Sequence, residues 1–200
     1  MNYYLFENIK DSKFYPISAT RSTTDIRIGA TTFLDRIKAL ISSGDKLSLF
    51  VREEIADLTQ ERHPEIEVNP QEVSHGIWLA GNVFWTEDLI KTIDHGSQLK
   101  WLHENKAVGY NLSTSMGKSW IEKGGPVQSE FTDNMEARDL SCDVFNYLWD
   151  IIDRIPKTLE EDIEGYDSNF KVKNNSKSVH TVGENKIYVD DTVHIEPLVI

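Results

Sequence analysis

The chain has 200 residues, 39% of them apolar, with five tryptophans, enough to bury a core of its own. Its formal charge of -12 argues against a nucleic-acid binder, whose affinity needs clustered Lys and Arg, but leaves room for a nucleotide site served by a few local cations. A single cysteine, Cys142, excludes an internal disulfide framework and any multi-cysteine metal site. No apolar run reaches the length of a membrane span, so a soluble, cytoplasmic protein with no membrane partner is expected.

In chain order, "NYYLFE" reads as a buried first strand, and a polar stretch follows it. "TTFLDRIKALISS" places Phe33, Leu34, Ile37, Leu40 and Ile41 on one helical stripe, stopped by "SGD". "KLSLFV" alternates as a strand, "REEIADLTQERHP" is a short amphipathic segment, and "EIEVNP" is another short strand. "GIWLAGNVF" predicts an apolar strand that breaks at Gly81-Asn82, and the helix after it begins at the capping residue Thr86. "SQLKWLHENKAVGYNL" carries one further strand ending in "AVGYNL", and "MGKSWIEKGGP" a short helix and turn. "FTDNMEARDLSCDVFNYLWDIIDRIP" predicts a long helix with Val144, Leu148, Ile151 and Ile152 on one side and Cys142 within its stripe. Strands alternating with helices imply an α/β layer structure with a mainly parallel sheet.

The last third changes character. "YDSNFKVKNNSKSVHTVGENK" is rich in Asn, Ser and Lys and reads as a linker. In "IYVDDTVHIEPLVI" a six-residue period aligns Ile187, Val193 and Val199, with Val189 and Ile195 at a second offset. Such a period marks a coil of a parallel β-helix, although an ordinary strand pair also satisfies it. The expected organisation is a domain over 1–165, a linker over 166–180, and over 181–200 the first coil of a hexapeptide β-helix that continues in a longer chain.

The most chemical stretch is "PISATRSTTDIRIG", Pro16 to Gly29, just after the first strand. With "GIWLAGNVF" and the hexapeptide tail, it resembles the GlmU-like sugar nucleotidyltransferases of Bacteroidetes type, in which a compact Rossmann-like, three-layer nucleotidyltransferase domain precedes a left-handed β-helix. The stretch keeps Pro16, Thr20, Arg21, Asp25, Ile26, Arg27 and Gly29 of the family pattern and departs from it at Ser22, where the family has proline. The resemblance implies transfer of a nucleotidyl group from an NTP to a sugar 1-phosphate, with UDP-N-acetylglucosamine or a relative as product. It also implies Mg²⁺ and, through a complete β-helix, a homotrimer.

On that reading Arg21 and Arg27 are the catalytic residues, because guanidinium forks pair bidentately with phosphate oxygens and stay charged. Thr20, Asp25, Gly81, Asn82 and Gly109 are the expected substrate-lining residues. The alternative for the two arginines is a pair of salt bridges around Asp25, which itself suits orienting an arginine or capping the next helix. Asn82 also suits a plain turn after a strand.

Two departures from the wider superfamily stand out. Its glycine-rich loop is replaced by "FENIKDSKFYP", where Lys10 and Lys13 bring charge but no glycine lets the backbone close on a triphosphate. Aligned on Pro16, the superfamily's lysine falls at Thr23. Its metal-holding aspartate falls at Asn82, with Asp162 or Asp167 as candidates for a second acid. A catalytically degenerate module that binds sugar nucleotides beside an acyltransferase β-helix is therefore the rival reading, and a structural cap on a β-helix is a third. The six histidines show no ligand spacing, and the tryptophans are expected mainly in the core.

Overall fold

The computed structural model describes residues 1–8, 13–93, 96–131, 134–164, 182–183 and 193–194. The expected linker and almost all of the hexapeptide tail, with Asp167 and Lys10, lie outside the described residues. Among the described residues, nine strands and five α-helices follow one another. Strand β1 (Asn2–Phe6) leads into the 14–26 segment and a small antiparallel pair, β2 (Arg27–Ile28) and β3 (Thr31–Thr32). Helix α1 (Phe33–Leu40) starts at a reciprocal capping box in which Thr32 and Asp35 satisfy each other's backbone N–H groups, and it buries Phe33, Leu34 and Ile37. Then come β4 (Lys46–Phe50), α2 (Ala56–Arg62), β5 (Glu67–Val68) and β6 (Gly76–Ala80). Thr86 caps α3 (Glu87–Thr92) as its sequence predicts, accepting from the Leu89 N–H. Strands β7 (Leu99–His103) and β8 (Lys106–Leu112) precede α4 (Thr114–Glu122), β9 (Glu136–Asp139) and α5 (Leu148–Glu164).

The main sheet has seven strands in the order β5-β4-β1-β6-β8-β7-β9. Strand β1 pairs in parallel with β4 and β6, β4 with β5, and β7 with β9; only β8 runs antiparallel, to β6 and β7. The mainly parallel α/β sheet expected from the alternation is therefore present.

Two segments differ from the sequence reading. Residues 99–112 form a hairpin of two strands, turning at Glu104 and Asn105, which both adopt positive φ, of 49° and 65°. Glutamate rarely takes that conformation, so the turn carried no glycine signal. The long helix expected from 131 onward begins only at Leu148. Upstream of it, "EARD" adds β9 to the sheet edge, where four exposed, mostly charged residues suit an unpaired flank. Val144 bridges to Val83 rather than joining a helical stripe, Cys142 lies in extended chain, and Ile151 is buried while Ile152 faces outward. The helix start is set by Asp150, whose carboxylate accepts from the N–H groups of Asn146 and Tyr147.

Two cores hold the layers. In the larger, Trp78 stacks on Tyr4, at 4.4 Å, and on Phe50, at 5.0 Å, and meets Trp120 at 5.4 Å. The smaller joins Phe14, Ile26, Ile28 and Phe33 to Phe84, Phe145 and Ile151. That second cluster fastens the segment after β1 to α5 and to the chain entering it. Among the described residues no helix is long and apolar enough to cross a membrane.

Candidate functional site at the strand ends

From β1 the sheet grows in two directions, to β4 on one side and β6 on the other. In open α/β sheets such a point leaves a crevice beyond the carboxyl ends of the strands, where ligands bind. Here the crevice lies beyond Phe6 and Ala80, so it is framed by Glu7, Asn8, Gly81 and Asn82. A cavity of about 650 Å³ opens from it, bounded by the β7–β8 hairpin and the chain entering α5, with Asn8, Asn82, Lys106, Asp150, Asp153 and Arg154 in its wall. A smaller one of about 280 Å³ shares Asn8 and Lys106 and reaches Tyr110 and Trp120.

Gly81 is demanded by close approach. Its N–H donates to the Phe6 carbonyl at 2.7 Å, and a Cβ there would lie 2.7 Å from Thr24 Cγ2 and 3.0 Å from the Phe6 oxygen. Asn82 follows, 1% exposed, and holds the opposite wall. Its Nδ2 donates to the Phe145 carbonyl at 2.9 Å, while the Phe145 N–H donates to the Asn82 carbonyl at 2.9 Å. Its Oδ1 is left buried without a partner, as is Asn146 Oδ1 in the same cavity wall.

The stretch from Pro16 to Gly29 is anchored by residues that its own sequence does not contain. Glu7, fully buried, accepts from the Thr23 N–H and from Arg52 Nη1 through Oε1, and from the Arg52 N–H through Oε2, each at 2.8 Å. Arg52 Nη2 then donates to the carbonyls of Ser18 and of Arg21, the latter at 3.1 Å. Burial pushes the Glu7 carboxyl above its ordinary value, opposed by the hydrogen bonds and charge it receives from Arg52 and Thr23. Ser22 caps the following turn by accepting from the Thr24 N–H at 3.0 Å, the role its position allows in place of the family's proline. Thr23 is buried, so the position aligned with the superfamily's lysine points into the fold.

The sequence-predicted residues separate into distinct places. Arg21 is exposed, and its guanidinium has no partner among the described residues. Arg27 is exposed and turned back on its own loop, donating to the Ala30 carbonyl. Neither lines the two cavities. Asp25 meets His63 Nε2 at 2.7 Å and lies 3.9 Å from Arg62, which in turn donates to the Thr20 carbonyl at 3.1 Å. The hydrogen-bond partner of Asp25 is thus His63 rather than Arg21 or Arg27, and the cap of α1 is Thr32. Gly109 sits within β8 opposite Leu79 and Trp101, inside the sheet rather than at its edge. Gly81 and Asn82 are the two that reach the crevice together.

Asp162 is committed elsewhere: its Oδ2 accepts from Arg36 Nη2 at 2.7 Å and from the Ala30 N–H at 2.8 Å. Gly29, at φ +71°, passes so close beneath that a Cβ would come within 2.5 Å of that oxygen. Among the described residues no group of three or more His, Cys, Asp or Glu side chains converges as a metal site. Mg²⁺ is commonly held by one or two carboxylates together with substrate phosphates, and the carboxylates in the wall of the larger cavity beside Asn82 are Glu104, Asp143, Asp150 and Asp153. Sequence reasoning missed Glu7 and Arg52. The available signal was a charged residue directly after each of two apolar strands, "NYYLFE" and "KLSLFVR".

The Trp149 ring is 59% exposed and stacks on Tyr147 at 4.4 Å, beside the cavity residues Asn146 and Asp150; the other four tryptophans are buried.

A family model described as sugar nucleotidyl transferase matches residues 3–169. Among solved structures, one assigned as a glucose-1-phosphate thymidylyltransferase from Bacillus anthracis, in complex with a sucrose, aligns over 80% of this chain and 96% of its own, at 9% identity and a TM-score of 0.46. No curated protein matches the chain.

Proposed function

Because the chain belongs to the sugar nucleotidyl transferase family, we propose that it transfers a nucleotidyl group from a nucleoside triphosphate to a sugar 1-phosphate at the β1–β6 crevice. An oxygen of the sugar phosphate attacks the α-phosphorus in line. The new O–P bond forms as the bond from that phosphorus to the bridging oxygen of the β-phosphate breaks, and pyrophosphate leaves with that electron pair. The attacking oxygen is already ionised at neutral pH, so no general base is needed, and catalysis rests on positioning and charge.

The observation that carries this reading is the cavity of about 650 Å³ at the switch point of the sheet. Arg21, on the turn clamped by Glu7 and Arg52, is the candidate for phosphate contact, and Asn82 with Gly81 for the sugar side. UDP-N-acetylglucosamine as product, a β-helix beyond residue 181, a homotrimer and a cytoplasmic location are the finer parts of the proposal, supported by the GlmU-like stretch alone. Release of pyrophosphate from one of the common NTPs with a hexose 1-phosphate, lost on Arg21→Ala, tests it. Absence of release across all NTPs and sugar phosphates, with Mg²⁺ present, overturns it.

A second reading is favoured by Asn82, which stands where the superfamily's metal-holding aspartate is expected. A module that binds a sugar nucleotide without turnover needs the crevice but not that aspartate. Thermal stabilisation by a nucleoside diphosphate sugar, without pyrophosphate chemistry in either direction, separates the two.

A further inference from the structure

Arg36, Arg52 and Arg154 are buried to a similar degree, with 15%, 19% and 19% of their side chains exposed. Two of them meet a buried carboxylate at short range: Arg36 meets Asp162 at 2.7 Å, and Arg52 meets Glu7 at 2.8 Å. Among the described residues Arg154 has no such partner. Its Nη1 lies 3.2 Å from Asp143 and its Nη2 3.4 Å from Glu161, carboxylates that are 56% and 43% exposed. Both contacts exceed the roughly 2.7–2.9 Å of a charge-assisted hydrogen bond. An exposed carboxylate also makes a weak partner, because water competes for both charges.

Arg154 nonetheless has a fixed place. Its guanidinium carbon sits 5.1 Å from the centre of the Phe84 ring, and the residue stands in the wall of the larger cavity. Lys106, on the β7–β8 hairpin, brings a second cation to that wall, whereas Arg21 and Arg27 lie outside it. The wall also holds Asn82 and Asn146, whose side-chain oxygens are buried without hydrogen-bond partners. Such an oxygen accepts from a hydroxyl or ligates a cation. The wall therefore suits a polyhydroxylated anion, whether or not a metal accompanies it.

We propose that Arg154 is the anion-binding residue of the larger cavity and holds the phosphate group of a sugar phosphate ester. A phosphate oxygen at Nη1 replaces the long contact to Asp143 with a short charge-assisted bond. The Asp143 carboxylate, already exposed, then turns to water or to a cation bound with the phosphate. Phe84 keeps the guanidinium in place throughout, so little ordering is needed when the anion arrives. That the ester carries a sugar rests on the functional reading above; that Arg154 takes a phosphate group does not.

Calorimetric titrations of the full chain test it, with Mg²⁺ present because Glu104 and Asp153 share the wall. The probes are hexose 1-phosphates, UDP-, dTDP-, GDP-, CDP- and ADP-hexoses, and inorganic pyrophosphate. The ester that binds is expected to lose at least about tenfold in affinity in Arg154→Gln, with partial recovery in Arg154→Lys. Asp143→Asn, which releases the guanidinium, is expected to tighten binding severalfold. Asp153→Asn removes an acid of the same wall that is not paired with Arg154, and is expected to tighten it less. Binding unchanged in Arg154→Gln overturns the proposal while the functional reading stands; a purely structural arginine would lower Tm and leave affinity alone. If pyrophosphate binds through Arg154 but no ester does, the anion seat stands and the functional reading falls. If no probe binds, both fall. Should Arg154→Gln fail to fold, Asp143→Asn decides: affinity no higher than in Asp153→Asn overturns the proposal.

Discussion

Glu7 and Arg52, placed at the ends of the adjacent parallel strands β1 and β4, form a buried ion pair at 2.8 Å from which the turn carrying Arg21 hangs. One carboxylate and one guanidinium satisfy four backbone groups between them: the N–H of Thr23 and of Arg52, and the carbonyls of Ser18 and Arg21. Removing the cation leaves a fully buried carboxyl without its counter-charge. Arg52→Met is expected to cost about 3 kcal/mol in denaturant unfolding, and less where Glu7 takes up a proton instead.

The same pair sets a pH dependence. Burial raises the Glu7 carboxyl above 4.5, its ordinary value, so in the window just above that value the folded protein holds the proton more tightly than the unfolded chain. The contribution of Glu7 to stability is then largest at low pH and declines as pH rises from 4.5 through the folded value. Glu7→Gln, which stays neutral, should lack this slope. Unfolding free energies of both proteins across mildly acidic pH check the sign: the wild type is expected to lose ground relative to Glu7→Gln as pH rises.

Arg21→Ala is expected to leave stability within about 0.5 kcal/mol of wild type, because its guanidinium has no partner among the described residues. Nucleotide affinity should fall about tenfold or more, the ordinary loss of one charge-assisted hydrogen bond. Arg27→Ala, whose side chain serves the Ala30 carbonyl, is expected to show the smaller effect on affinity. Parallel calorimetric titrations and melting curves of the two variants distinguish them.

Gly81→Ala is expected to destabilise the fold at the crevice itself. The added methyl would meet Thr24 Cγ2 at 2.7 Å and the Phe6 carbonyl at 3.0 Å, pressing the 22–25 turn off the sheet. Overpacking of this kind costs about 1–3 kcal/mol, measurable as a lowered denaturation midpoint.

Cys142 is a built-in reporter for the cavity. It is the chain's one cysteine, lies in the wall of the larger cavity, and its thiol is pushed up to about 11 by burial and by the charge of Asp143. Alkylation by iodoacetamide is expected to be slow at neutral pH and to accelerate as pH rises. A ligand seated in the cavity should slow it further, and an unchanged rate with saturating ligand places that ligand elsewhere.

Much of this architecture was legible before any coordinates. The stripe of α1, the cap at Thr86 and the apolar run "GIWLA" are signals contained within a few residues, and each forms where its pattern predicts, whereas the cap of α1 is Thr32 and not Asp25. The hairpin turn was hidden because its left-handed residues are Glu104 and Asn105, with no glycine to mark them. The edge strand was hidden because "EARD" reads as well as a helix, and only the flank of β7 gives it a ladder to join. Of the candidate site, Gly81 and Asn82 could be placed by the break after an apolar strand, whereas the partners of Arg21 and Asp25 could not.

By itself the sequence determined the acidic balance, the alternation of strands and helices, and the motif that marks the family, since each depends on composition or on spacings of a few residues. Tertiary structure decided which polar groups meet: Glu7 with Arg52, 45 residues apart, Asn82 with Phe145 across 63, and Arg36 with Asp162 across 126. Periodicity says which face of an element is buried, but a buried charge or amide must find its complement among whatever chain ends beside it. Strand order makes that choice: it joins Asn82 to Phe145 and holds the Pro16–Gly29 stretch through Glu7 and Arg52.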